Sequence, residues 1–140
     1  MASNAFAGVG TQFKRESSTS SGVFVALAEI MTIDGVSMSR DDIDVTNLDS
    51  TGGYREYIPG FRDGGTVDLD MNFTFDAYQT VLADFESSTV QTYQIALSDA
   101  SGTTLTFDGY FNALSASVAA DTQVMAKATV KVTGAVTLAS

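Results

Sequence analysis

Residues 66–74, TVDLDMNFT, alternate without a break: Val67, Leu69, Met71 and Phe73 are apolar, while Asp68, Asp70, Asn72 and Thr74 are polar. Successive side chains on a strand point to opposite faces, so this pattern demands a strand with one buried and one wet face. Residues 123–138 repeat it. Val124, Ala126, Ala128, Val130, Val132, Val136 and Leu138 fall on one side, and Gln123, Met125, Lys127, Thr129, Lys131 and Thr133 on the other. A half-buried strand is not stable alone and needs a sheet and a second layer over its apolar face. The chain is thereby confined to mainly β architectures.

The remaining segments fit that frame. Residues 23–33 are a continuous apolar run broken only by Glu29, the composition of a strand buried on both faces. Residues 90–98 put Tyr93, Ile95 and Leu97 on one face, and in the longer strand 103–119 Gly109 marks a bulge or bend. One helix is predicted over residues 76–87, with Tyr78, Val81, Leu82 and Phe85 as its apolar stripe and Asp76 as its N-cap. Asp84 and Glu86 sit at its C-terminal end, where the helix dipole disfavours acids, so a short helix is expected. The expected fold is a single domain over 1–140, a β-sandwich or open barrel of two packed antiparallel sheets flanked by one α-helix.

Residues 37–66 do not belong to that body. Connections in compact domains run about four to six residues, and much longer ones are functional or disordered. This one carries Ile43, Val45 and Leu48, then Tyr54, Tyr57, Pro59 and Phe61, and is too apolar to be disordered. Glycines at 52, 53, 60, 64 and 65 are expected to supply positive-φ turns. Such an excursion cannot bury its own apolar surface and needs another surface to lie on. Tyr and Arg are enriched at interface hot spots, so Tyr54, Arg55, Tyr57 and Phe61 read as an interface, with Arg55 or Arg62 suited to an acidic patch on a neighbouring copy.

The wording of that stretch, IDVTNLDSTGGYREYIPGFRDGG, resembles the long loop of siphophage major tail tube proteins: an I-D-V-T-x-L-D/E-S strand, then G-x-R-E and G-x-R-D-G-G. The resemblance continues in GVGTQFKR at residues 8–15, FVALAEI at 24–30 and VDLDMNFTFD at 67–76, covering the first half of the chain. It implies two packed β-sheets flanked by a helix, as in the type VI secretion tube protein. It also implies a structural subunit of hexameric rings stacked into a hollow tube, with tape measure and tail terminator or tip proteins as partners. The N-terminal arm, residues 1–21, and the long loop would bridge successive rings. Under this resemblance Ile43, Asp44, Val45, Leu48, Tyr54, Arg55, Glu56, Tyr57, Phe61 and Arg62 are the inter-subunit candidates. Asp68, Asp70, Asn72 and Thr74 become candidates for an acidic lumen wall through which DNA passes.

Charge and composition narrow the alternatives. Seventeen acidic residues against seven basic ones give a formal net charge of −10, and the basic residues are scattered, which argues against a grip on nucleic acid. There is no histidine and no cysteine, so neither a Ser-His-Asp system nor a thiolate metal site can be built. Asp41-Asp42-x-Asp44 and Asp68-x-Asp70 lack EF-hand spacing and read as solvated acids. No enzyme, cofactor or metal is expected. The first 22 residues have neither a basic nor an apolar signal region, and no run approaches a membrane span, so the expectation is assembly in the host cytoplasm and residence in a virion tail. The alternative from another class is a monomeric β-sandwich module binding a ligand through its Tyr-rich loop.

Overall fold

The two alternating segments lie side by side. β6 (Thr66–Asn72) pairs antiparallel with β9 (Met125–Ala139), placing Val67, Leu69 and Met71 opposite Val130, Ala128 and Ala126. All six are buried. The small alanines of β9 leave room for the larger side chains facing them, which is how dense packing is reached without strain. The structure, a computed structural model, describes residues 8–16, 22–26, 30–118, 120 and 124–139.

Seven further strands and one α-helix build the rest of the described sheets and their flank. They are β1 (Gln12–Glu16), β2 (Phe24–Ala26), β3 (Ile30–Asp34), β4 (Ser39–Asp44), β5 (Tyr57–Asp63), α1 (Phe75–Glu86), β7 (Gln91–Ala96) and β8 (Thr104–Ser117). The strands form two antiparallel sheets, a seven-stranded one in the order β2-β1-β7-β8-β9-β6-β3 and the two-stranded β4-β5. The expected β-rich fold with one flanking helix is thus observed, although the larger sheet supplies both layers. Chain reach explains why it doubles over. Six strand spacings make a flat sheet about 29 Å wide. Yet the last residue of β2 and the first of β3, at opposite edges, are four residues apart and span at most about 14 Å. The edges therefore converge, and Cα atoms of β1 and β3 come within 8 Å without forming a ladder. The sheet is not closed into a barrel.

The same connection corrects the reading of residues 23–33. They are not one strand buried on both faces but two edge strands, with Val25 and Met31 more than half exposed. Residues 27–29 of that run lie outside the described residues. Apolar content resembles a central strand because β3 contributes inward side chains, Ile30 and Ile33 packing against the core. Gly109, where a bulge or bend is expected, itself pairs in register with Val132; the irregularities of the β8–β9 ladder lie to either side, as register shifts at 106–108 and 111–113.

Inside the fold four rings cluster. Phe13 stacks on Tyr93 at 5.5 Å, and Phe111 meets Tyr93 edge-on at 5.4 Å, with Phe107 beside them. Each such pair contributes about 0.5–1.5 kcal/mol beyond area burial. Phe13 belongs to the N-terminal arm of residues 1–21, and residues 12–16 of that arm are a core strand. Residues 1–7 and 17–21 of that arm lie outside the described residues.

Helix α1 begins one residue earlier than expected and is capped by Thr74, whose hydroxyl accepts from the Ala77 N–H at 3.3 Å; Asp76 is not the cap. Its buried face is Ala77, Val81 and Asp84, whereas Leu82 and Phe85 of the predicted stripe are exposed. A buried charge network accounts for this rotation. Arg15 Nε lies 2.7 Å from Asp84 Oδ2, and the Tyr93 hydroxyl donates to the same oxygen at 3.1 Å. The Arg15 N–H is not directed at a hydrogen-bond acceptor, so the contact is one of charge. An acid buried this deeply requires a partner, and that requirement fixes which face of the helix turns inward.

Burial, reinforced by the Asp84 carboxylate, pushes the Tyr93 phenol far above its usual value of 10.0. The folded state thus favours the neutral phenol, and the associated stability is intact below pH 10. It is lost as pH rises past the unfolded-state value. We expect unfolding free energy to fall by about 1.4 kcal/mol per pH unit above pH 10. Tyr93→Phe should remove that slope at a cost of about 1 kcal/mol for the lost hydrogen bond. Urea titrations of both proteins between pH 8 and 11 check this, and equal slopes would refute the assignment.

Candidate assembly interface

The long excursion is a projecting β-hairpin. Ile43 stands opposite Ile58 and Asp44 opposite Tyr57, with a bulge between Arg40 and Asp42. The strand ends at Asp44 and does not run on to Leu48, as the I-D-V-T-x-L-D/E-S strand of the resemblance would have it. Beyond it the tip is ordered by local bonds. The Thr46 hydroxyl accepts from the Glu56 N–H at 2.8 Å and lies 3.3 Å from the Glu56 carbonyl oxygen, while Val45 N–H donates to that carbonyl at 2.9 Å. Asn47 Oδ1 accepts from the Asp49 N–H, and a 3-10 turn follows at Thr51–Gly53.

What this ordered hairpin presents is apolar. Leu48 is fully exposed, Phe61 is 91% exposed and Tyr54 78%, and Ile43, Val45 and Tyr57 are also exposed. The local mini-core that could have hidden these side chains is absent from the hairpin, where every residue but Gly60 and Ser50 is exposed. Asp44, Arg55, Glu56 and Arg62 are exposed among them. Arg55 is already engaged, its Nη1 lying 3.3 Å from Asp44 Oδ2. Such an exposed pair contributes at most about 1 kcal/mol, so it shapes the tip more than it stabilises it. Arg40 and Arg62, by contrast, stand directly opposite each other with no ion-pair partner among the described residues. Arg40 had no signal of its own in the sequence; its importance comes from the register.

Two legs attach the hairpin to the body. Gly65 has φ +72, and a Cβ there would run into the Ser37 carbonyl of the other leg. Gly64 and Gly60 do not have positive φ. They are glycines because of close approach, a Cβ at Gly64 meeting Val132 Cγ1 at 2.5 Å and one at Gly60 the Asp41 carbonyl at 3.0 Å. Next to the legs, Asp63 accepts from the Gly65 N–H at 2.8 Å and pairs with Lys131 of β9 at 3.2 Å. The Gly65 N–H, then Lys131, hold the Asp63 carboxyl below its usual value. Between hairpin and body runs a groove of about 950 Å³ lined by Met38, Arg40, Phe61 and Arg62 on one side and Val132 and Val136 on the other.

The outward face of the large sheet is polar. Asp68 is exposed and accepts from the Thr129 hydroxyl at 2.9 Å, while Asp70 stands opposite Lys127 and is half-buried like Asn72. Thr74 lies beyond the end of β6 and spends its hydroxyl on the helix cap. Among the described residues no three acidic side chains converge on a metal-sized site, and none of the helices is long and apolar enough to cross a membrane.

A family model described as "Lambda phage tail tube protein, TTP" matches residues 5–139. No curated protein matches the sequence. Among solved structures, the tail of an empty gene transfer agent particle, refined helically with C6 symmetry, superposes with a TM-score of 0.81 at 20% identity, covering 97% of this chain and 100% of that one. A virion of a native gene transfer agent particle gives 0.79 at 18% identity, covering 97% and 100%. The SPP1 tail tube gives 0.65 at 12% identity over 91% of this chain and 75% of that one. At these identities the likeness is one of fold.

Proposed function

This chain belongs to the lambda phage tail tube protein family, a family of structural proteins and not of enzymes, and from that premise we propose how its copies assemble. The protein is a structural subunit of a tail tube. Six copies form a ring, in keeping with the C6 symmetry of the gene transfer agent tail. Rings stack head to tail by a contact that does not close on itself and so grows a filament. The observation that carries this reading is the hairpin, an ordered arm on which Leu48, Tyr54 and Phe61 stand exposed. Exposed aromatic anchors of this kind bind a partner surface. The site is completed by Ile43, Asp44, Val45, Arg55, Glu56, Tyr57 and Arg62. Edge strands β2 and β3, open in a single copy, find ladder partners in the ring, which removes an aggregation hazard.

The polar sheet face lines the lumen. Asp68 and Asp70, with Asn72, set the sign of its charge, although Lys127 and Lys131 on the neighbouring strand temper it. DNA carries about one negative charge per 1.7 Å of axis, so a weakly repelling, threonine-rich wall lets it pass without adhering. The tape measure protein occupies the same space beforehand, and tail terminator or tip proteins close the ends.

Negative-stain electron microscopy of the purified protein across a concentration series is the test. Hollow tubes or stacked rings are expected. A protein that stays monomeric at every concentration, and whose hairpin variants lose only ligand binding, would instead be a binding module. In phage carrying Asp68→Lys with Asp70→Lys, tubes should still form while DNA ejection slows. Unimpaired ejection would move these acids off the lumen.

A further inference from the structure

Two charge placements in this chain are unfavourable by themselves, and they have opposite sign. On the hairpin, Arg40 and Arg62 are directly cross-strand neighbours, an arrangement in which like charges repel. On α1, Glu86 occupies the last turn, which holds no basic residue, so a carboxylate sits at the negative end of the helix dipole. Asp84 nearby cannot share a cation with it, because Asp84 is buried with Arg15 and Tyr93. Neither the two guanidinium groups nor the Glu86 carboxylate has a partner among the described residues.

Each frustrated charge also stands in an exposed apolar setting. Arg62 adjoins the exposed Phe61, and the groove beneath is lined by the exposed Met38, the half-buried Val136 and the buried Val132. Glu86 shares the outward stripe of α1 with Phe75 and Leu82, spaced 75, 82 and 86, and adjoins Phe85; Phe75 is 72% exposed. Other exposed acids, such as Asp68 on β6 and Asp49 at the hairpin tip, lack this flanking pair of phenylalanines.

We propose that the arginine-lined groove at the hairpin base docks the last turn of α1 from a second copy, with Arg40 and Arg62 clasping Glu86 and with Leu82 and Phe85 entering the groove beside Phe61. One contact then relieves both repulsions and covers both apolar surfaces. Its two halves lie on different parts of the chain, so copies related head to tail can repeat it from one to the next. The inference rests on the self-assembly reading above and names the surface the hairpin meets.

Charge exchange tests it. Arg62→Glu and Glu86→Arg, both at exposed positions, should each raise the concentration needed for assembly by about tenfold, and the double variant should restore it. Folding of each is confirmed by circular dichroism. A second, charge-independent test uses the absence of cysteine in the native chain. Phe61→Cys with Phe85→Cys should yield a ladder of covalent multimers when assembled protein is oxidised. Overturning results are a Glu86→Arg protein that assembles like the wild type, a double variant no better than the singles, or an oxidised assembly that stays monomeric on denaturing gels. These leave the self-assembly reading standing. A wild-type protein that never assembles removes that reading and this contact together.

Discussion

Asp84→Ala is expected to lower the unfolding free energy by about 3 kcal/mol, the lower end of the range for breaking a buried ion pair. The size of the effect comes from what is left behind. Arg15 would keep its charge on the inner face of the sheet with a side chain only 19% exposed, and Tyr93 would keep a buried hydroxyl with no acceptor. The residual exposure of Arg15 lets water reach part of the guanidinium, which is why the upper end of the range is not expected. Asp84→Asn should cost less, because the amide oxygen still accepts from Tyr93. Arg15→Met combined with Asp84→Leu should recover most of the loss, since an apolar pair of similar volume avoids desolvating two charges. Urea denaturation of the four proteins decides the matter. An Asp84→Ala protein within about 0.5 kcal/mol of the wild type, the range of ordinary surface substitutions, would show that the network is not the link between strand and helix.

Gly65→Ala is expected to abolish tube formation while leaving the sheet folded. A left-handed backbone costs an alanine about 1–2 kcal/mol, and here the new methyl group also meets the Ser37 carbonyl across the two legs. Backbone cannot yield as a flexible side chain can, so the legs separate and the hairpin is carried away from β9, weakening the Asp63–Lys131 tie. Gly102→Ala is the matched comparison. Its φ is +66, but nothing lies within 4 Å of the added carbon. It should show the same left-handed cost in urea and assemble normally. If both variants form tubes equally well, the leg geometry does not govern assembly.

How far the sequence announced this structure depends on whether a feature is local. The faces of β6 and β9 were legible because alternation is a property of one segment, and Val67 or Val130 needs no distant partner to declare its side. The rotation of α1 was not, because it is set by Asp84 meeting Arg15, 69 residues away along the chain. The clue was an acid on the same helical face as Ala77 and Val81, together with an arginine in step with Phe13. Residues 23–33 misled for a related reason: apolar content reports burial on some face and is silent about position at an edge. That the hairpin does not bury its own apolar side chains, Leu48, Tyr54 and Phe61 among them, was legible from composition. Its most telling pair, Arg40 with Arg62, depended on a bulge that no local pattern encodes.

The attachment of the hairpin has a mechanical consequence. A filament whose units hold one another through such arms is a series of stiff blocks joined by slender struts, and its resistance to bending resides in the struts. Each strut pivots on two short legs bearing Gly35, Gly64 and Gly65, and is braced by one surface ion pair. In a tube assembled as proposed above, flexural rigidity should therefore fall as salt screens the Asp63–Lys131 brace.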